Sequence, residues 1–200
     1  MALAPRGVTG VLLAAGAGRR AGGPKALRTE PDGTSWLQRG VAALLGGGCE
    51  LVVVVLGSRA AAAGALLPTL PAERLVVATA NDWAVGMSRS LLAGLGAVPA
   101  STPAAVVHLV DLPDVPAEVV RRLLAAGGTS GGALARAGYG GRPGHPVLLG
   151  SAHLSALAES LRRLGPAEVD QGARVYLSGH AATLVECGDL ASGRDRDSSV

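Results

Sequence analysis

The chain contains no phenylalanine and only four other aromatic residues, Trp36, Trp83, Tyr139 and Tyr176. The stacking platforms that readers of single-stranded RNA or DNA require are therefore missing. No block of like charge occurs either. The 18 Lys+Arg and 15 Asp+Glu are interspersed, the net charge is +3, and a basic footprint for nucleic acid is absent. Cysteine is reduced to Cys49 and Cys187, which lie far apart without a CxxC or a neighbouring histidine. That excludes a disulfide framework or a zinc site, and a reducing cytoplasm is the expected location. Apolar runs such as Leu51 to Leu56 fall far short of the roughly 20 residues that cross a bilayer, so no membrane partner is expected. Arg6 and the run Val8 to Ala15 imitate a signal peptide, but Thr9 and Gly10 interrupt the run, and Gly16, Gly18, Arg19 and Arg20 follow it. Lysine is nearly absent too: Lys25 is the one lysine beside 17 arginines.

What the chain does have is a globular balance, with 48% hydrophobic and 16% charged residues in a length of 200, and one core is expected. Val8 to Ala14, Leu51 to Leu56, Arg74 to Ala78 and Ala104 to Val110 are short apolar runs that read as buried parallel strands. Thr34 to Leu45, Ser88 to Val98 and Pro116 to Ala125 read as helices between them. Thr34 or Ser35 can cap the first, Ser88 the second, and Pro116 suits the first turn of the third. The alternation predicts a three-layer α/β fold with a mostly parallel sheet and a Rossmann-like nucleotide-binding half over 1–126. From Gly127 to Gly144 the pattern weakens; it recovers at Val147 to Leu149, a helix over Ser151 to Leu164 and a strand around Thr183 to Val185. Residues 127–200 therefore read as an elaborated second half of one domain, ending in a polar tail from Ser192. The alanine tract Ala60 to Ala63 reads as compositional bias.

The first strand runs into Leu13-Ala-Ala-Gly-Ala-Gly-Arg-Arg-Ala-Gly-Gly-Pro-Lys25. Gly16, Gly18 and Ala21 satisfy the GxGxxG/A spacing of a dinucleotide fold, in which a helix follows the second glycine and an acid ends the next strand. Pro24 falls where that helix should continue, and the second strand ends in Gly57-Ser58-Arg59 without an acid. The alternative is an extended loop whose backbone N–H groups approach a triphosphate, with Arg20 and Lys25 supplying charge. A compact ammonium suits a crowded phosphate pocket better than a planar guanidinium, which fits the choice of lysine at this one position. Asp111 closes the strand Ala104 to Val110, where ligands bind in open α/β sheets, and its carboxylate suits Mg²⁺.

At these residues the chain resembles the MobA-like nucleotidyltransferases, most closely their molybdenum cofactor cytidylyltransferase branch. LAAGAGRRAGGPKAL is similar to the family's LAAGxSxRMGxPKxLL, and Asn81-Asp-Trp-Ala-Val-Gly-Met-Ser-Arg-Ser-Leu91 to its NPDWxxGMSSSL. Val110-Asp-Leu-Pro113 resembles DQP, Gly141 to Leu148 resembles GxPGHPVLF, Asp170-Gln-Gly-Ala-Arg174 resembles GDxGAR, and Asp195-Arg-Asp-Ser198 resembles DxDT. These segments run in order across residues 11–198. Departures are Gly18 for Ser, Ala21 for Met, Arg89 for Ser, and Ser198-Ser-Val200 where the family continues with PEDL, a change expected to loosen the second metal ligand.

The resemblance implies a GT-A-like fold and transfer of CMP from CTP to the terminal phosphate of molybdopterin, with Mg²⁺ and release of pyrophosphate. LAAG and PKAL favour CTP, whereas guanylyltransferase relatives read LAGG and DKxL. Arg20, Lys25 and Asp111 would be catalytic. Leu13, Ala14, Ala15, Gly16, Gly18, Gly86 and Ser88 would contact the nucleotide; Arg142, Gly144, His145 and Arg174 the acceptor; and Asp111 with Asp195 or Asp197 the metal. Arg19 reads as a solvent-facing neighbour, and Trp83 and Met87 as core residues. A molybdoenzyme or chaperone client is a further implied partner. The alternatives are a guanylyltransferase, a catalytically weak accessory protein in cofactor delivery, and a Rossmann reductase that binds NAD(P).

Overall fold

The computed structural model describes residues 7–67 and 69–196. Its first half contains β1 (Thr9–Ala14), α1 (Trp36–Gly46), β2 (Leu51–Leu56), α2 (Ala60–Gly64), β3 (Leu75–Thr79), α3 (Met87–Gly96), β4 (Ala104–Leu109) and α4 (Ala117–Gly127). The second contains β5 (Leu134–Tyr139), β6 (Arg142–Gly150), α5 (Ser151–Arg163), α6 (Arg174–Ser178) and β7 (Thr183–Glu186). One seven-stranded sheet, ordered β3-β2-β1-β4-β6-β5-β7, runs through both halves. Pairing is parallel from β3 through β4 and between β5 and β7, while β6 is antiparallel to both of its neighbours.

Alternation of side chains along each strand divides the core into two apolar layers. On one face Leu12, Val54, Val106 and Leu148 pack with Trp36, Leu37 and Val41 of α1 and Val119 and Leu123 of α4. On the other, Val11, Leu13, Val53 and Val107 pack with Leu91 and Leu95 of α3, Leu157 and Leu161 of α5, and Tyr176 of α6. Helices on both faces explain why the central strands are apolar throughout instead of alternating. α1 starts at a capping box: Gln38 N donates to Ser35 Oγ and Ser35 N donates to Gln38 Oε1, each at 3.0 Å. Pro116 occupies the N-cap position of α4.

Two segments depart from the pattern expected above. The glycine-rich stretch after α4 contains β5 and the start of β6, joined at Gly140 and Gly141, whose φ values are 59° and 76°. A two-residue hairpin needs φ > 0 at both positions, so these glycines are turn chemistry where composition suggested irregular chain. The alanine tract forms α2, with Ala63 buried against the first apolar layer. Among the described residues, no helix is long and apolar enough to cross a membrane.

His108 is buried on β4, and neither ring nitrogen has a hydrogen-bond partner among the described residues. Burial, then the neighbouring His145, lowers its pKa from 6.5 to about 3; Asp114 acts the other way. Burial and Arg136 lower that of His145 to about 4, with Asp111 opposing. The folded chain thus excludes protons that the unfolded chain binds below pH 6.5, so this contribution to stability is complete above 6.5 and is lost as the pH falls toward 3. His108→Leu is expected to make the fall of Tm between pH 6.5 and 4 shallower. It should cost little at pH 7, because leucine replaces a ring whose polar atoms lack partners. Scanning calorimetry of both proteins across that range checks this, and parallel slopes would refute it.

Candidate functional site

β1 pairs with β2 on one side and with β4 on the other, so the chain reverses its direction of winding between β1 and β4. Loops leaving the carboxyl ends of such a pair diverge and leave a crevice between them. Here the two loops are the glycine loop after β1 and the Asp111 loop after β4. Leu13, Ala15, Gly16 and Gly18 line one wall of a cleft of about 690 Å³, together with Arg19 and Lys25. Asp111 and Val110 line another, Trp83 to Met87 and Ser90 a third, and Asp170 and Asp195 complete the rim.

The glycine loop is not the start of a long helix. Arg19–Ala21 and Lys25–Leu27 are single 3₁₀ turns, Pro24 is the N-cap of the second, and regular helix begins only at Trp36. The Rossmann geometry, in which a helix dipole faces pyrophosphate, is therefore not built here. Instead the Gly18 carbonyl accepts from Ala21 N at 2.9 Å and Gly23 N at 3.0 Å, which folds the loop back on itself. Gly18 has φ 59°, and a Cβ there would lie 1.8 Å from Gly23 O, so this turn admits only glycine.

Lys25 Nζ donates to Asp111 Oδ2 at 2.8 Å, across 86 positions of sequence. The side chains are 14% and 20% exposed, so the pair sits at the base of the cleft and is little screened by solvent. Asp111 Oδ1 is buried and, among the described residues, finds no hydrogen-bond donor. A buried carboxylate oxygen without a donor is costly unless something else satisfies it, and a hard divalent cation is the natural ligand for such an atom. Asp195 reaches the same cleft from the C-terminal tail, where Arg196 N donates to the Asp111 carbonyl at 3.1 Å. Asp111 and Asp195 thus line one cleft from two distant segments. Asp197 lies outside the described residues.

Other residues singled out from sequence are distributed differently. Ala14 alternates to the opposite face of β1 and is buried in the first apolar layer, away from the cleft. Gly86 is both the N-cap of α3 and part of the cleft wall. Ser88 does not cap that helix. It lies inside the first turn, buried, with its hydroxyl unpartnered, while Ser90 faces the cleft. For Arg20, whose backbone lies in the first 3₁₀ turn, only the main chain is described. Arg19 lines the cleft although exposed; Trp83 packs against the second apolar layer and also lines the cleft, whereas Met87, 43% exposed, is a wall residue instead of core.

Arg142 is exposed at the hairpin tip and does not line the cleft. Gly144 and His145 lie on β6 and do not line the cleft either, and the His145 carbonyl accepts from Tyr139 OH at 2.7 Å. His145 is near enough to Asp111 to feel its charge, and with its pKa lowered to about 4 its ring is neutral at pH 7. Arg174 opens α6, exposed to solvent and outside the cleft lining; burial, and then the Arg174 charge, lowers the pKa of Arg136. No sequence motif covers Arg136. Its signal was an arginine inside the apolar strand LARAGY.

A cleft at the β1/β4 switch point, with a non-helical glycine loop and a lysine paired to a strand-end aspartate, matches a known domain. The model of the MobA-like NTP transferase domain aligns with residues 10–183. The chain belongs to that family. It is a nucleotidyltransferase with an α/β, GT-A-like fold, as the motifs implied. Nicotine blue oxidoreductase from Paenarthrobacter nicotinovorans is 37% identical over 200 residues, covering 95% of this chain and 92% of its own. Among solved structures, the Mycobacterium sp. strain JC1 homologue of Rv0371c superposes with a TM-score of 0.75 at 28% identity, covering 96% of this chain and 91% of its own. The 2-C-methyl-D-erythritol 4-phosphate cytidylyltransferase of Thermus thermophilus has a TM-score of 0.60 at 21% identity, covering 94% and 92%, a likeness of fold.

Gly18→Ala tests the glycine loop. The variant is expected to keep its far-UV circular dichroism spectrum while nucleoside triphosphate affinity drops roughly tenfold or more, because the displaced loop withdraws its N–H groups. Unchanged affinity by calorimetric titration would remove the loop from the binding site.

Proposed function

We propose that this enzyme is a Mg²⁺-dependent cytidylyltransferase that moves CMP from CTP to the terminal phosphate of a molybdopterin-type acceptor and releases pyrophosphate. The observation that carries this reading is the Lys25–Asp111 pair, with one aspartate oxygen on the lysine and the other buried without a donor. CTP is preferred to GTP on the PKAL and LAAG forms of the loop. The product would pass to a molybdoenzyme client in the cytoplasm.

The nucleophile, a phosphate oxygen of the acceptor, is already an anion, so no side chain need remove a proton. It attacks the α-phosphorus of CTP, the bond from that phosphorus to the β-phosphate bridge oxygen breaks, and pyrophosphate leaves with the electron pair. The protein's task is alignment and neutralisation of charge. N–H groups of the glycine loop cradle the triphosphate, and Lys25, held at a set position by Asp111, faces the charge that builds on the leaving group, with Arg20 assigned beside it. Asp111 and Asp195 would hold Mg²⁺, which supplies a Lewis acid for the phosphate oxygens. His145, neutral at pH 7, can hydrogen bond to the acceptor without repelling the arginines, and Arg174 offers bidentate contact to its phosphate.

Asp111→Asn is expected to lose on the order of a hundredfold in kcat, and Lys25→Ala to raise the KM for CTP as well. Steady-state assay of pyrophosphate release measures both, and full activity in the two variants would remove the pair from catalysis. A second reading rests on one observation, the oxidoreductase name of the 37% identical relative; on it the same cleft takes a nicotinamide dinucleotide. Thermal shifts with CTP, GTP, ATP, UTP, NADH and NADPH, each with and without Mg²⁺, separate the two. Saturation at a hundred times Kd is expected to raise Tm by roughly 5 to 10 °C with CTP and Mg²⁺. A GTP preference would change the base, and a rise with NADPH alone would establish the second reading.

A further inference from the structure

After β7 the chain runs on as residues 188–196, of which Asp195 lines the cleft, and every few residues it is tied down by a contact of its own. Glu186 anchors the start, accepting from Gly140 N, Gly141 N and Gly188 N at 2.9 Å each. Arg122 of α4 then grips Asp189 with two bonds, at 2.5 and 2.8 Å. Next, Asp114 Oδ2 accepts from both Ser192 N, at 2.9 Å, and Ser192 Oγ, at 2.6 Å. At the far end Arg196 donates to both carboxylate oxygens of Glu30, at 2.8 and 3.1 Å, and its N–H donates to the Asp111 carbonyl.

These ties are specific to one path. Gly193 has φ 60°, and a Cβ there would meet the Tyr139 ring at 2.2 Å, so the strap can lie on that ring only with glycine at this position. Asp114 belongs to the same loop as Asp111, three residues on, and Glu30 follows the glycine loop. The strap therefore joins the two loops that form the cleft, and Asp195 lies between the Ser192 and Arg196 ties.

We infer that Asp114 is a positioning residue: through Ser192 it fixes the strap so that Asp195 stands opposite Asp111, and the Arg196–Glu30 pair holds the glycine loop in the same register. The inference rests on the assignment of Asp195 as a metal ligand, and it adds that the second carboxylate is placed by a double bond-acceptor on the loop of the first. A carboxylate on an irregular C-terminal segment has no strand or helix to aim it. Its entropy of immobilisation must be met by such side-chain contacts.

The test is Mn²⁺ binding to the full chain, followed by electron paramagnetic resonance. Ser192→Ala removes the hydroxyl donor and is expected to raise the Kd for Mn²⁺ about tenfold. Ser192→Thr, which keeps the hydroxyl, should restore it to within about twofold, and Gly193→Ala should behave like Ser192→Ala. Asp195→Asn should weaken binding at least as much, and combining it with Ser192→Ala should add nothing, because both act through one carboxylate. All variants should keep the Tm within a few degrees of the parent, which sets this effect apart from loss of fold. Parent-like Mn²⁺ affinity in Ser192→Ala and Gly193→Ala, with weak binding in Asp195→Asn, would overturn the positioning role and leave the ligand assignment standing. Parent-like affinity in Asp195→Asn would overturn both.

Discussion

Parallel pairing of β1 with both β2 and β4 is the constraint on which the site depends. In a parallel ladder all carboxyl ends emerge on one edge, and where the strand order reverses, between β1 and β4, the loops after the two strands leave in opposite directions. Val110 N donates to Leu13 O at 3.1 Å, so the two strand ends are still in register where the loops begin. Lys25 and Asp111 meet there because backbone pairing has already brought their strands together. The ion pair then joins two segments that share no local sequence. An ordinary surface pair contributes little, but this one lies at the bottom of a cleft, and its loss would leave a partly buried charge on either side.

Much of this was legible from the chain because buried parallel strands leave a strong trace. Leu51 to Leu56 is apolar at every position, which only two covered faces permit, and Asp111 could be picked out as the polar residue that ends such a run. Spacing was less informative about direction. Ala14 and Ala15 are adjacent in the glycine motif, yet a strand sends them to opposite faces, and only Ala15 lines the cleft. Ser88 and Ser90 differ in the same way along a helix, where two positions rotate a side chain to the other side. The β5–β6 hairpin was obscured because its turn glycines resemble those of irregular chain. What no motif carried was the set of contacts between distant segments: Arg136 near Arg174, and Ser192 on Asp114.

The second half of the domain differs in how it is held. Its strands are fewer in parallel contact, its helix α6 is short, and polar groups do work that apolar packing does elsewhere. Glu186 gathers three backbone N–H groups, which lowers its pKa, and Asp189 is held down likewise by Arg122. His108 and His145 sit neutral behind the Asp111 loop. The edge of the sheet that carries the cleft thus rests on histidines that stay neutral down to about pH 4 and on carboxylates whose lowered pKa values keep them ionised.

The lone lysine has a chemical consequence of a different kind. In most proteins of this size an acylating or reductively alkylating reagent finds many side-chain amines, and the product is a mixture. Here every other cationic side chain is a guanidinium, inert to such reagents at neutral pH. The single ε-amine lies 14% exposed, with a hydrogen bond given to the Asp111 carboxylate. Covalent modification of lysine in this protein is therefore confined to one atom at the floor of the cleft, and the acceptor of the ion pair is also its protecting group.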